Sequence, residues 1–181
     1  MTYFMKQTII TNSFEETQKL GADFARKINS VSVLALYGDL GSGKTTFIQG
    51  FAKGLGIQNK IISPTFIIMR TYEFNPSQPP LIRGGVQISP PDKGADEGAR
   101  LLDRGGESEG VSLQKKTFYH VDLYRIKDEK DIEDLGLTEI MNDTQNIVAI
   151  EWPEKIEKIL PKKRIDIYFE YLDENKRKII F

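Results

Sequence analysis

Gly38-Asp39-Leu40-Gly41-Ser42-Gly43-Lys44-Thr45 spells a complete P-loop, G-x-x-x-x-G-K-[ST], and its flanks decide the fold. Before it runs Val31-Ser32-Val33-Leu34-Ala35-Leu36-Tyr37, a mostly apolar, strand-like stretch. After it, Thr46 to Leu55 sets Phe47, Ile48, Phe51 and Leu55 at helical spacing. The glycines let the backbone curl so that its N–H groups converge on the phosphates of a nucleotide. A helix opening at Lys44 adds the positive end of its dipole. The expectation is a nucleoside triphosphate site in which Lys44 reaches the β- and γ-phosphates and the Thr45 hydroxyl ligates Mg²⁺. The plain alternative is a glycine-rich turn without a ligand.

Working outward, Gln7 to Thr11 reads as a short strand, and Ser13-Phe14-Glu15-Glu16 as a capping box that opens a helix to about Asn29. Leu20, Phe24 and Ile28 share one face of that helix. Ile61-Ile62-Ser63-Pro64-Thr65 is a loop leading into a strand, Phe66 to Phe74. Thr117 to Asp122 is a strand ending in an acid, Asp128 to Leu135 a short solvated helix, and Asn146 to Ile150 a buried-type strand followed by Glu151. Pro153 suits the first turn of another short helix, up to Pro161. Arg164 to Leu172 and Lys176 to Phe181 alternate about Asp173-Glu174-Asn175 and read as a closing β-hairpin. Strands alternating with helices around a P-loop predict an α/β fold: a three-layer, mostly parallel sheet with antiparallel strands that include the C-terminal hairpin. The ligand belongs at the carboxyl ends of the central strands.

The chain has 181 residues, enough for one domain with a proper core. Its 25 Lys and Arg against 26 Asp and Glu argue against a protein that coats nucleic acid by charge. With no Cys and a single His, disulfides, thiolate catalysis and Cys- or His-cluster metal sites are excluded. Met1 to Thr8 lacks the features of a signal peptide, and no run approaches 18 apolar residues, so a cytoplasmic protein with no membrane partner is expected. From about Pro76 to Lys115 the character changes, with seven of the 15 glycines, five of the eight prolines and no aromatic. Leu81-Ile82-Arg83-Gly84-Gly85 is echoed by Leu102-Asp103-Arg104-Gly105-Gly106. This reads as a low-complexity, disordered insertion that interrupts the domain without ending it.

Hydrolysis needs a carboxylate for Mg²⁺ and a group that orients water. Asp122 and Glu151, each at a strand end, are the candidates, and their positions alone leave open which serves which task. His120 is a structural histidine or a member of the site, and Arg125 a partner for a phosphate or for Glu151. Trp152, the only tryptophan, belongs to the core or stacks near the nucleotide. The Thr65 hydroxyl could sense the γ-phosphate as a switch loop does, or merely sit in a turn.

The order G-D-L-G-S-G-K-T-T, S-P-T-F, H-V-D-L-Y-R, E-W-P-E closely resembles the TsaE (YjeE) family of small P-loop ATPases required for threonylcarbamoyladenosine synthesis in bacterial tRNA. The resemblance runs from the first helix to the last hairpin and makes residues 1–181 one P-loop ATPase domain, interrupted at about 76–115. It implies that Gly38 to Thr46 hold the phosphates of ATP, with Thr45 on Mg²⁺, and that Ser63-Pro64-Thr65-Phe66 is a switch segment. It gives Asp122 a share in the metal, makes Glu151 the acid needed for hydrolysis and lays Trp152 beside the nucleotide; Glu16-Thr17 and Leu20-Gly21 match the family's helix near the base. The implied partners are the TsaD and TsaB proteins, with tRNA met through their complex. TsaD carries the transfer to the adenosine beside the anticodon of tRNAs that read codons starting with A, and ATP hydrolysis by the TsaE member resets the machine. The family usually joins the strands around Tyr72 and Tyr119 by a short connection, where about 40 residues intervene here.

Three rivals use the same residues. A small-molecule kinase would need a lid with arginines, and Arg83, Arg100 and Arg104 all lie in the insertion. A GTP-driven switch would need N-K-x-D, of which Asn59-Lys60-Ile61-Ile62 lacks the aspartate. An inactive relative would have lost motif residues, and all are present.

Overall fold

The computed structural model describes residues 7–28, 31–76, 115–127, 130–133 and 135–181. The expected insertion, apart from its two ends, lies outside the described residues, as do its internal echo and its arginines. Strands β1 (Thr8–Thr11), β2 (Val33–Tyr37), β3 (Met69–Phe74), β4 (Lys116–Asp122), β5 (Asn146–Glu151), β6 (Ile165–Tyr171) and β7 (Arg177–Ile180) form one sheet in the order β1-β7-β6-β2-β5-β4-β3. β6, β2, β5 and β4 pair in parallel, whereas β3 on β4, β7 on β6 and β1 on β7 are antiparallel. Only β7 and β3 therefore run against the rest.

Helices α1 (Phe14–Lys27) and α2 (Lys44–Gly54) cover one face, over Leu34, Leu36, Phe118, Ile167 and Phe169. Short helices α3 (Lys130–Glu133) and α4 (Leu137–Asn142), with a kinked 3₁₀ stretch Pro153–Ile159, cover Val33, Val121, Val148 and Ile150 on the other. β2 is buried on both faces, which is why its sequence reads as an unbroken apolar run. Ser13 caps α1, its Oγ accepting the Glu16 N–H at 3.1 Å, while Glu16 reaches back to the Asn12 N–H at 2.7 Å. A Cβ at Gly21 would meet the Phe47 carbonyl oxygen and one at Gly50 the Gln18 carbonyl oxygen, so the two helices touch backbone to backbone.

Two expectations shift. The strand expected from Phe66 begins at Met69, because the Ile67 and Ile68 N–H groups both donate to the Pro64 carbonyl, at 2.8 and 2.7 Å, and close a turn. Within the span Asp128 to Leu135, α3 covers Lys130–Glu133 and Ile132 is buried, so the stretch is not solvated all round; Asp128, Glu129 and Asp134 lie outside the described residues.

Candidate active site at the carboxyl ends of the central strands

β2 delivers the P-loop, and the parallel register of β4 on β5 sets Asp122 directly beside Glu151. Gly38 at φ 133° and Gly43 at φ 99° take backbone conformations that a side chain would strain. A Cβ at Gly38 would also run into the Phe169 carbonyl. The loop borders an open cleft of about 320 Å³. Leu40, Gly41, Ser42, Gly43, Lys44, Thr45 and Thr46 line it, together with Asp122, Glu151 and Trp152. Ser42 is fully buried beside it, and its Oγ has no hydrogen-bond partner.

Lys44 folds back onto its own loop, its Nζ donating to the carbonyls of Gly38 at 2.6 Å and Asp39 at 2.8 Å and lying 4.4 Å from the centre of the Trp152 ring. Burial pushes its ammonium below the ordinary lysine range, against the opposing pull of Glu151 and then Asp122. A buried cation that donates to carbonyls is a ready partner for phosphate.

The two acids, equivalent by position, divide the neighbourhood between them. Glu151 accepts the Thr45 hydroxyl on both oxygens, at 2.8 and 3.1 Å, and its Oε1 lies 2.9 Å from His120 Nε2. Asp122 accepts the hydroxyls of Ser63 at 2.8 Å and Thr65 at 2.5 Å through Oδ2, and the Tyr124 N–H at 3.0 Å through Oδ1. Glu151 thus belongs to the P-loop and Asp122 to the segment Ser63–Ile68. The Thr45 hydroxyl and the Glu151 carboxylate are hard oxygen donors of the kind that suits Mg²⁺. Among the described residues no group of three or more His, Cys, Asp or Glu could hold an ion, so an ion here would have to share its shell with phosphate oxygens and water.

His120 is buried within the sheet and Thr65 stands at the cleft. Trp152, half-buried at φ 61°, takes neither a core position nor a free one: its ring also meets Tyr124 at 5.1 Å. Arg125 does not line the cleft; its guanidinium lies 4.1 Å from the ring of Phe66. Sequence reasoning missed Ser63 as a ligand of Asp122, and Tyr124. It also gave Lys176-Arg177-Lys178 no role in the site. Arg177 donates through Nε to the Gly41 carbonyl at 3.2 Å and lines the cleft with Glu174 and Asn175, as do Ser13, Phe14 and Thr17 of the α1 end. No local signal marks it, because only the folded hairpin brings it over the P-loop.

A mixed α/β sheet whose glycine loop opens a helix beneath two strand-end acids defines a P-loop protein of the nucleotide-binding class. Within that class the chain belongs to the TsaE family: the model described as "Threonylcarbamoyl adenosine biosynthesis protein TsaE" matches residues 11–82 and 109–179. A Bacillus subtilis (strain 168) protein named tRNA threonylcarbamoyladenosine biosynthesis protein TsaE is 36% identical over 170 residues, covering 92% of this chain and 79% of the relative. The protein of that name from Treponema pallidum (strain Nichols) is 29% identical, covering 94% of this chain and 96% of its own. Among solved structures, the crystal structure of Bacillus subtilis YdiB aligns with a TM-score of 0.62 at 27% identity, covering 98% of this chain and 84% of that one. Among the described residues no helix is long and apolar enough to cross a membrane.

Proposed function

We propose that this chain is a Mg²⁺-dependent ATPase that works with TsaB and TsaD proteins to make threonylcarbamoyladenosine beside the anticodon of tRNAs reading codons that start with A. It meets tRNA through that complex, in the cytoplasm, and acts as one domain interrupted at about 76–115. Hydrolysis resets the complex and does not perform the transfer. The observation that carries the reading is the convergence of the buried Lys44, the Thr45–Glu151 pair and Asp122 on one cleft in a TsaE-family chain.

In this reading Gly38, Asp39, Leu40, Gly41, Ser42, Gly43 and Thr46 wrap the phosphates, and Lys44 exchanges the Gly38 and Asp39 carbonyls for the β- and γ-phosphate oxygens. Thr45 and Glu151, with Asp122 nearby, would hold Mg²⁺, which would supply positive charge against the charge that develops on the phosphates. Glu151 or Asp122 orients the attacking water, and the direct contact with Thr45 favours Glu151 for the metal and Asp122 for ordering Thr65. Trp152 flanks the phosphates, and His120 supports Glu151. Arg125, exposed on Phe66, has its place at the outer edge of the switch segment.

The test is ATP hydrolysis by the purified chain, alone and with its TsaB and TsaD partners, with Lys44→Ala as the blank. Weak activity that rises with the partners and vanishes in the blank is expected. Phosphate appearing on a small-molecule acceptor, or preference for GTP, would overturn the reading.

A further inference from the structure

We propose that His120 is a positioning residue for Glu151, steadied from behind by Arg70, and that the pair sets how firmly the cleft holds a divalent cation. The inference rests on the reading of the cleft as a nucleotide and Mg²⁺ site. It starts from a conflict of burial. His120 has no solvent exposure, and its Nε2 is 2.9 Å from Oε1 of Glu151, itself buried. An ionised carboxylate can only accept, so the ring donates from Nε2. Glu151 is then gripped at Oε1 by two donors, the ring and the Thr45 hydroxyl, and at Oε2 by the hydroxyl alone. Such double restraint fixes the carboxylate plane without consuming the lone pairs turned to the cleft. The outer partner of a metal ligand acts in this way, by orientation.

The other ring nitrogen is the anomaly. His120 Nδ1 is buried and has no hydrogen-bond partner, a costly arrangement unless something meets it. The antiparallel register sets Arg70 of β3 directly opposite His120 of β4, so both side chains leave the sheet on the same face. Arg70 carries a second orphan: its buried Nε has no partner either. The two are complementary, since an Nε–H can only donate and a ring that donates from Nε2 offers Nδ1 as an acceptor. A small shift that joins them, directly or across one water, locks the ring tautomer and hence the donor that faces Glu151. Arg70 and His120 never touch the nucleotide in this scheme. They act on it only through Glu151.

The experiment follows binding of ADP with and without Mg²⁺ by the emission of Trp152, whose ring the Lys44 ammonium must leave when phosphate enters. His120→Phe, which keeps bulk and loses the donor, is expected to bind metal-free ADP as wild type does. Its Mg²⁺ dependence should shift to about 10- to 100-fold higher cation concentration. His120→Gln, whose amide nitrogen reaches the position of Nε2, should recover most of that loss. Arg70→Met should shift the same curve less and in the same direction. Should Phe not fold, as thermal melting will tell, His120→Asn, with its donor one atom short, serves in its place. The inference is overturned if His120→Phe weakens metal-free ADP equally, if Gln fails to rescue a folded protein, or if Mg²⁺ dependence is unmoved in both His120→Phe and Arg70→Met. Wild-type chain that ignores ADP altogether would overturn the nucleotide reading itself, a different and separately visible result.

Discussion

The loop Gly38–Lys44 and the loop Ser63–Ile68 border the same cleft, yet they handle backbone strain in opposite ways. In the first, glycines occupy the left-handed positions, so the curl is relaxed and the loop is fixed between β2 and α2. In the second, a β-branched residue does so: Ile68 sits at φ 66°, a conformation that costs such a side chain about 1–2 kcal/mol. Its neighbours Phe66 and Ile67 are 81% and 53% exposed, and the segment is tied down at Asp122, whose carboxylate accepts the hydroxyls of Ser63 and Thr65 and whose N–H donates to the Ile68 carbonyl at 2.8 Å. One loop is a rigid cradle, and the other is a strained strap pinned at one residue, Asp122. Where they meet, each owns one acid.

The largest effect is expected at the acids. Glu151→Gln keeps the shape of the cradle's acid and removes its charge; ATP hydrolysis, read as kcat, should fall about 100- to 10,000-fold while ADP still binds. Next comes the cradle itself. Gly38→Ala must fit a Cβ against the Phe169 carbonyl at a forbidden φ, which should cost about 3 kcal/mol or more in denaturant unfolding and abolish ADP binding. Thr65→Val frees one tie of the strap, and a lost hydrogen bond to a charged group is worth about 1.5 kcal/mol, so kcat should drop roughly tenfold with ADP affinity unchanged. An equal loss of affinity would show the strap to be as fixed as the cradle.

Ile68→Gly sharpens the contrast from the other side. Relief of strain should offset most of the packing lost by this partly buried side chain, leaving the melting temperature within about 3 °C of wild type. A fall of about 8 °C or more would mean that no strain was stored there. The smallest effect concerns pH. Burial lowers the folded-state pKa of Lys44 below the value of 10.5 it has when exposed, so between those two values the unfolded chain binds the extra proton and stability rises with pH. Lys44→Met, free of the buried charge, should be more stable than wild type at neutral pH. That advantage should shrink as unfolding is measured toward about pH 10.

Legibility in the sequence followed distance along the chain. The P-loop is eight contiguous residues with its strand and helix attached, and it reads completely. The strand-end positions of Asp122 and Glu151 also read correctly, since each closes an apolar run. Their division of labour did not, because it rests on Thr45 meeting Glu151 across 106 positions and on Thr65 meeting Asp122 across 57. Phe66-Ile67-Ile68 has the composition of a strand, and tertiary demand overrode it: the chain must turn there to carry Ser63 and Thr65 to Asp122. Arg125 was expected near phosphate or Glu151 because the charges match, but the oxygens of Glu151 are already engaged by Thr45 and His120. Arg177 escaped notice because a basic run on a hairpin looks solvated until the hairpin is folded over Gly41.

The seam between α1 and α2, where Gly21 and Gly50 remove the side chains that would hold the backbones apart, makes these helices one body. The starts of both helices line the one cleft, Ser13, Phe14 and Thr17 from α1 and Lys44 and Thr45 from α2. Those starts keep a fixed separation along the cleft. Any change in the width of the cleft therefore falls to the parts outside that body: the strap, the hairpin turn and the ends of β4 and β5.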